Sequence, residues 1–160
     1  MTRGDGWWIT RAERTLTELV PAPPDRVRAF YVDLDNIKRL HPLIVSVETT
    51  GRQESADGYT QSYRVRDRIP LGPVTIRIAY TARLAVPVQG DVLTEARQFP
   101  RVALDGVVSF DETGHGTRIT ERLRIAVPRP LAATTIRQAV AAHAEMFAGI
   151  RRCFTSGEAY

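Results

Sequence analysis

Residues Leu131 to Phe154 read LAATTIRQAVAAHAEMFAGIRRCF. Wound at 3.6 residues per turn, the stretch puts Ala132, Ile136, Ala139, Val140, His143, Met146, Phe147, Ile150 and Phe154 on one side. Arg137, Gln138, Glu145 and Arg152 fall on the other. The apolar stripe is about as wide as a core-facing helix needs. His143 sits at its middle, so a titratable imidazole faces whatever the rest of the chain packs there. The sequence upstream reads as strands. The expected arrangement is one long helix laid on a sheet, with a polar group aimed into the gap.

Working backward from that helix, Pro128-Arg129-Pro130 ends a strand on which Thr117, Ile119, Glu121, Leu123 and Ile125 share a face. A hairpin turn at Asp111 to Gly116 joins it to a strand carrying Leu104, Gly106, Val108 and Phe110. Val92 to Phe99 is a further strand. Val74 to Val86 alternates most clearly, with Val74, Ile76, Ile78, Tyr80, Ala82, Leu84 and Val86 pointing one way. Before the Pro70–Pro73 turn, Tyr59, Gln61, Tyr63 and Val65 share one face, and Thr60, Ser62, Arg64 and Arg66 the other. Val45 and Val47 alternate toward a turn near Glu54 to Gly58.

The chain opens with a frayed end, Met1 to Gly6, and a strand from Trp7-Trp8 to Val20. Ala12, Leu16, Glu18 and Val20 share a face there. Pro21 to Asp25 stops this strand and starts a short helix with Val27, Phe30, Tyr31 and Leu34 on one side. Asp33 and Asp35 cap a second short turn, which His41-Pro42 ends. The sum is a single α+β domain over residues 1–160. It has two short helices after the first strand, seven antiparallel strands and a long C-terminal helix. So large a sheet must curl to cover that helix.

Composition narrows the function. The 160 residues are 43% hydrophobic and 25% charged, ordinary for a globular domain. No apolar run approaches the roughly 20 residues that span a bilayer. The polar N-terminus carries no secretion signal, and a lone cysteine, Cys153, fits a reducing compartment, so a cytoplasmic location is expected. The formal charge is +4, carried by arginine, with Lys38 the one lysine; Schiff-base chemistry is disfavoured. His41, His115 and His143 show no metal-ligand spacing, and no phosphate loop, dinucleotide fingerprint or nucleophile elbow is present. Neither metal nor cofactor is expected. Arg64, Arg66, Arg68, Arg77 and Arg83 project from the outer face of two neighbouring strands, a surface suited to an acidic carrier protein, an anionic membrane or RNA, or simply solvated. Without outward aromatics for base stacking, no nucleic-acid partner is expected.

The order of elements and several local sequences resemble the START-like, or SRPBCC, superfamily with its helix-grip fold. The matching stretches are Val20-Pro21-Ala22-Pro23-Pro24-Asp25-Arg26-Val27, Asp33 with His41-Pro42, Leu104 to Phe110, Gly116 to Thr120, and the closing helix. Within the superfamily the chain looks most like the bacterial polyketide cyclase/dehydrase and coenzyme-Q-binding group. That resemblance implies a cavity between sheet and long helix that holds a lipid, a polyketide or a quinone-like molecule. It carries over no catalytic motif.

Strand and helix parity gather His143, Glu121, Gln61, Tyr59, Tyr63 and Tyr80 on the cavity side, among Ile76, Ile78, Val108, Phe110, Met146 and Phe147. Ala132 and Ala139 leave space in the helix face. His143 can be a core histidine satisfied by its neighbours, a ligand contact, or a general base for an aldol-type cyclisation oriented by Glu121. Binding of a hydrophobic or amphipathic small molecule is the expected function. A cyclase or dehydratase and an accessory protein docked through the arginine face are the alternatives.

Overall fold

The computed structural model describes residues 6–158; residues 1–5, most of the segment expected to fray, and 159–160 lie outside them. In chain order the elements are β1 (Ile9–Val20), α1 (Pro24–Val32), α2 (Leu34–Leu40), β2 (Ile44–Ser55), β3 (Gly58–Leu71) and β4 (Val74–Pro87). Then come β5 (Val92–Gln98), β6 (Val102–Thr113), β7 (Gly116–Pro128), a 3-10 turn (Arg129–Leu131) and α3 (Ala132–Ser156). The strands form one seven-stranded antiparallel sheet in the order β1-β7-β6-β5-β4-β3-β2. The first two strands in sequence are thus the two edges, and α1 and α2 carry the chain from one edge to the other. The curved sheet grips α3 on its concave face, the helix-grip arrangement.

Local chemistry sets the boundaries. Pro23 and Pro24 preset the start of α1, where a missing N–H has no partner to lose. The Asp33 carboxylate accepts from the Asp35 backbone N–H at 3.0 Å and caps α2. His41 closes α2 through its N–H to the Ile37 carbonyl at 2.8 Å. In α3 the buried positions are Ala132, Ala142, Met146, Phe147, Gly149 and Ile150. Met146, Phe147 and Ile150 pack with Val20, Val27, Tyr31, Ile37, Val108 and Ile119 to make the main core.

Three expectations need correction. Gln138, expected on the polar side of α3, is half-buried and turns toward the sheet, where it donates to the Pro70 carbonyl. Val45 and Val47 do not share a face, since Val45 is exposed and Val47 half-buried. Register shifts between Ile44 and Ser46 and between Thr49 and Gly51 break the period of two in β2. In β4, Val74 and Ile76 have the inward parity but are exposed. At the β3–β4 tip α3 makes a side-chain hydrogen bond from Gln138 but does not cover Val74 and Ile76, so inward parity there faces solvent.

Candidate functional site

A cavity of about 220 Å³ lies between the concave face and α3. Its apolar wall includes Ile37, Ile44, Val65, Ile78, Leu104 and Met146, with Ala139 and Ala142 keeping the helix side low. Its polar lining includes a titratable group of His143 from α3, His41 from the end of α2, Asp67 from β3 and Tyr80 from β4, with Glu95, Gln98 and Gln138 elsewhere on the wall.

His143 rests on Glu121 of β7, with Nδ1 at 2.8 Å from Oε2. Glu121 has no exposed surface, and its Oε1 has no hydrogen-bond partner among the described residues. It fits because β6 carries glycine alongside. A Cβ at Gly106 would stand 3.2 Å from Glu121 Oε1 and collide with Thr94 Oγ1. Burial alone pushes the His143 imidazole down. The Glu121 carboxylate, by charge and hydrogen bond, and the more distant Asp67 outweigh burial and hold it above its ordinary value. With Nδ1 committed to Glu121, Nε2 is the ring atom left for a ligand.

His41 behaves in the opposite way. Its ring meets that of His143 edge-on, with centroids 5.8 Å apart. The Leu43 backbone N–H points at its Nδ1 at 3.3 Å, which suits an unprotonated nitrogen. Burial first, and the charge of His143 second, lower its pKa to about 3. Asp67 is buried, and burial raises its pKa to about 6 against the opposing effects of a Tyr80 hydrogen bond and His143. Its Oδ1 has no partner among the described residues. Tyr80 is in turn pushed up, by burial and then by Asp67. Around His143 stand the carboxylates of Asp67 and Glu121, the His41 imidazole and the Tyr80 phenol. The two imidazoles are driven apart, the pattern that separates acid from base roles.

The His41 shift has a measurable sign. The folded ring stays neutral down to about pH 3, while the unfolded one takes up a proton near 6.5. Between those values the unfolded state binds more protons, so stability is lost as pH falls. We expect His41→Gln to remove this loss. The stability of the wild type relative to the variant should fall by about 1 kcal/mol per pH unit below 6.5. Urea unfolding at a series of pH values checks this, and parallel curves for the two proteins would refute it.

The structure brings together His143, Glu121 and Tyr80, with Ile78, Ala139 and Met146 beside them. Tyr59, Gln61 and Tyr63 lie elsewhere, in a separate recess of about 260 Å³ against Asp33, Asp35 and Arg52. There the Arg52 guanidinium stands 3.8 Å over the Tyr59 ring and donates to Gln61 Oε1 at 3.0 Å. Val108 and Phe147 are fully buried core, and Phe110 packs on Tyr31 at 5.6 Å between rings; none of the three lines the cavity. Parity assigns a face but not a position along a 14-residue strand, and the α1–α2 junction at Leu34 separates the two hollows. Sequence reasoning misses Asp67 because it follows the alternation only to Val65 and Arg66. Tyr63, Val65, Asp67 and Ile69 continue one parity, and a carboxylate on an inward face is the available signal.

The fold has known counterparts. A Thermus thermophilus protein, TTHA0849, superposes with a TM-score of 0.68 at 19% identity, over 93% of this chain and 98% of that one. The aromatase/cyclase Zhui from Streptomyces sp. R1128 gives 0.61 at 18% identity, over 91% and 95%. The di-domain ARO/CYC BexL from the BE-7585A biosynthetic pathway gives 0.69 at 14% identity over 89% of this chain, which spans about half (49%) of that protein. No curated protein matches the chain significantly. The family described as polyketide cyclase / dehydrase and lipid transport matches residues 11–154, nearly every residue of the fold from β1 to the end of α3, and the chain belongs to that family.

Proposed function

We propose that the protein binds a hydrophobic or amphipathic small molecule, of lipid, polyketide or quinone-like character, in the cavity under α3. The observation that carries this reading is the cavity itself: a largely apolar wall that holds His143, His41, Asp67 and Tyr80. Apolar surface supplies affinity and the few polar groups set orientation. The unpartnered oxygen of Asp67 adds a specific demand, since a buried acceptor left bare costs about 1–3 kcal/mol and a donor on the ligand would relieve it.

A second reading, a cyclase or dehydratase, is favoured by the His143–Glu121 contact. Glu121 fixes the ring and stabilises the imidazolium that forms when Nε2 takes a proton from carbon beside a carbonyl. Because His143 is held above its ordinary pKa, the base form is the one populated at the alkaline side.

The test uses Ala139, which leaves room in the cavity wall and is remote from the core pairings. Solvent extraction of the wild-type protein followed by mass spectrometry should release an apolar molecule. Ala139→Leu should bind that molecule, or a fluorescent fatty acid, at least about tenfold more weakly with an unchanged or higher Tm, because the added methylenes fill space without straining a packed core. Undiminished binding by a folded Ala139→Leu variant would remove the cavity from the argument.

A further inference from the structure

Seven of the twelve large apolar side chains exposed among the described residues stand at one end of the molecule, which argues against random scatter. Trp7 and Trp8, with rings 4.1 Å apart, lead into β1. The Arg129 N–H donates to the Trp8 carbonyl at 2.7 Å, which places Leu131 and the start of α3 beside them. Val102 packs with Val127 and Ala132, so the β5–β6 turn comes to the same end and presents Phe99, 92% exposed. At the β3–β4 tip, Leu71 opposite Val74, and Ile76, continue the concave face beyond the cover of α3. Gln138 donates to the Pro70 carbonyl at 3.1 Å and ties that tip to the helix. Leu131, Gln138, Gln98 and Ile69 also line the cavity, so these tips flank it.

Charge follows the same axis. The segments 6–8, 71–77, 98–101 and 128–131 contain Arg77, Arg101 and Arg129 and no acidic residue. At the other end the turns carry Asp57 and Asp91, and β6 ends with Asp111 and Glu112.

We propose that this end docks on a bilayer surface containing anionic lipid. The aromatic and aliphatic tips enter the boundary between headgroups and acyl chains, and Arg77 and Arg129 meet the phosphates. The side chains project from four separate segments around the cavity, a layout that suits a yielding apolar phase better than one complementary protein surface. The inference does not depend on what the cavity holds; a folded Ala139→Leu variant should bind vesicles as the wild type does.

Trp7 and Trp8 are the only tryptophans in the chain, so their emission reports on this end alone. With the full-length protein and vesicles of phosphatidylglycerol and phosphatidylcholine in equal parts, emission should shift to the blue and the protein should sediment with lipid. Binding should weaken with salt and be much lower on phosphatidylcholine alone. The double variant Phe99→Ser/Val74→Ser should bind at least about tenfold more weakly, and Arg129→Gln about fivefold more weakly. All three changes are at exposed positions, and unfolding curves verify that folding is intact. No blue shift at low salt, or undiminished binding by the folded double variant, overturns the proposal. A shift caused by an acidic carrier protein and not by vesicles assigns this end to a protein partner and overturns it as well.

Discussion

Replacing His143 with Phe should cost about 3 kcal/mol of folding stability, while adding Glu121→Leu to that variant should restore most of it. The reason is an asymmetry. Glu121 is wholly buried, and among the described residues His143 is the single hydrogen-bond partner of its carboxylate. Removing the imidazole strands a charge; removing both groups leaves an apolar contact of similar volume. The figure belongs at the lower end of the range for broken buried pairs, because His143 keeps 19% of its side-chain surface exposed, enough for water to reach the site. Denaturant unfolding of the wild type, the single and the double variant decides it. A single variant as stable as the wild type, or a double variant no better than the single one, would show that the pair does not hold the core.

The same contact has a pH signature. His143 is raised above 6.5 in the folded state, so from 6.5 up to that higher value the folded protein binds more protons than the unfolded chain. The part of stability owed to the charged pair is therefore complete below 6.5 and lost as pH rises through the folded value. Asp67 acts in the same sense over a lower window, from 3.8 to about 6. His41 opposes it there. The wild-type pH profile is a sum of these contributions, and only variants separate them.

How much of this is legible in the sequence depends on what each pattern encodes. The period of two in β3, β4 and β7 and the stripe of α3 encode faces, and they place every element in order. His143 and Glu121 can be paired on paper because each lies at the middle of its own inward face. Position along a strand is not encoded that way, which is why parity groups Tyr59, Gln61 and Tyr63 with a cavity that they do not line. Val74 and Ile76 fail for the related reason that inward parity means burial only where another layer covers it. The bulges of β2 hide Val45 from the rule altogether.

Glycine in the β6–β7 turn shows the same limit, and gives a second large effect. Read as sequence, Asp111 to Gly116 is a hairpin loosened by its two glycines. In the fold they are not equivalent. Gly114 has open space around its Cα, whereas Gly116 adopts φ +135°, and a Cβ there would collide with the Val20 carbonyl oxygen and come within 3.0 Å of Pro21 Cα. Backbone, unlike a flexible side chain, cannot step aside, and an L side chain at that φ is strained in any surroundings. The neighbouring Thr117 hydroxyl donates to the Ala22 carbonyl at 2.7 Å in the buried interior, so the link from β1 to α1 is fixed on both sides of the contact. We expect Gly116→Ala to cost about 3 kcal/mol or more, against less than about 0.5 kcal/mol for Gly114→Ala. The lesion should spread along α1 and α2, which that link positions, and so lower ligand uptake although Gly116 does not line the cavity. Hydrogen exchange should show lost protection in α1 and α2 before the centre of the sheet. Equal stability of the two alanine variants would mean that the β6–β7 turn does not brace the helices that close the cavity.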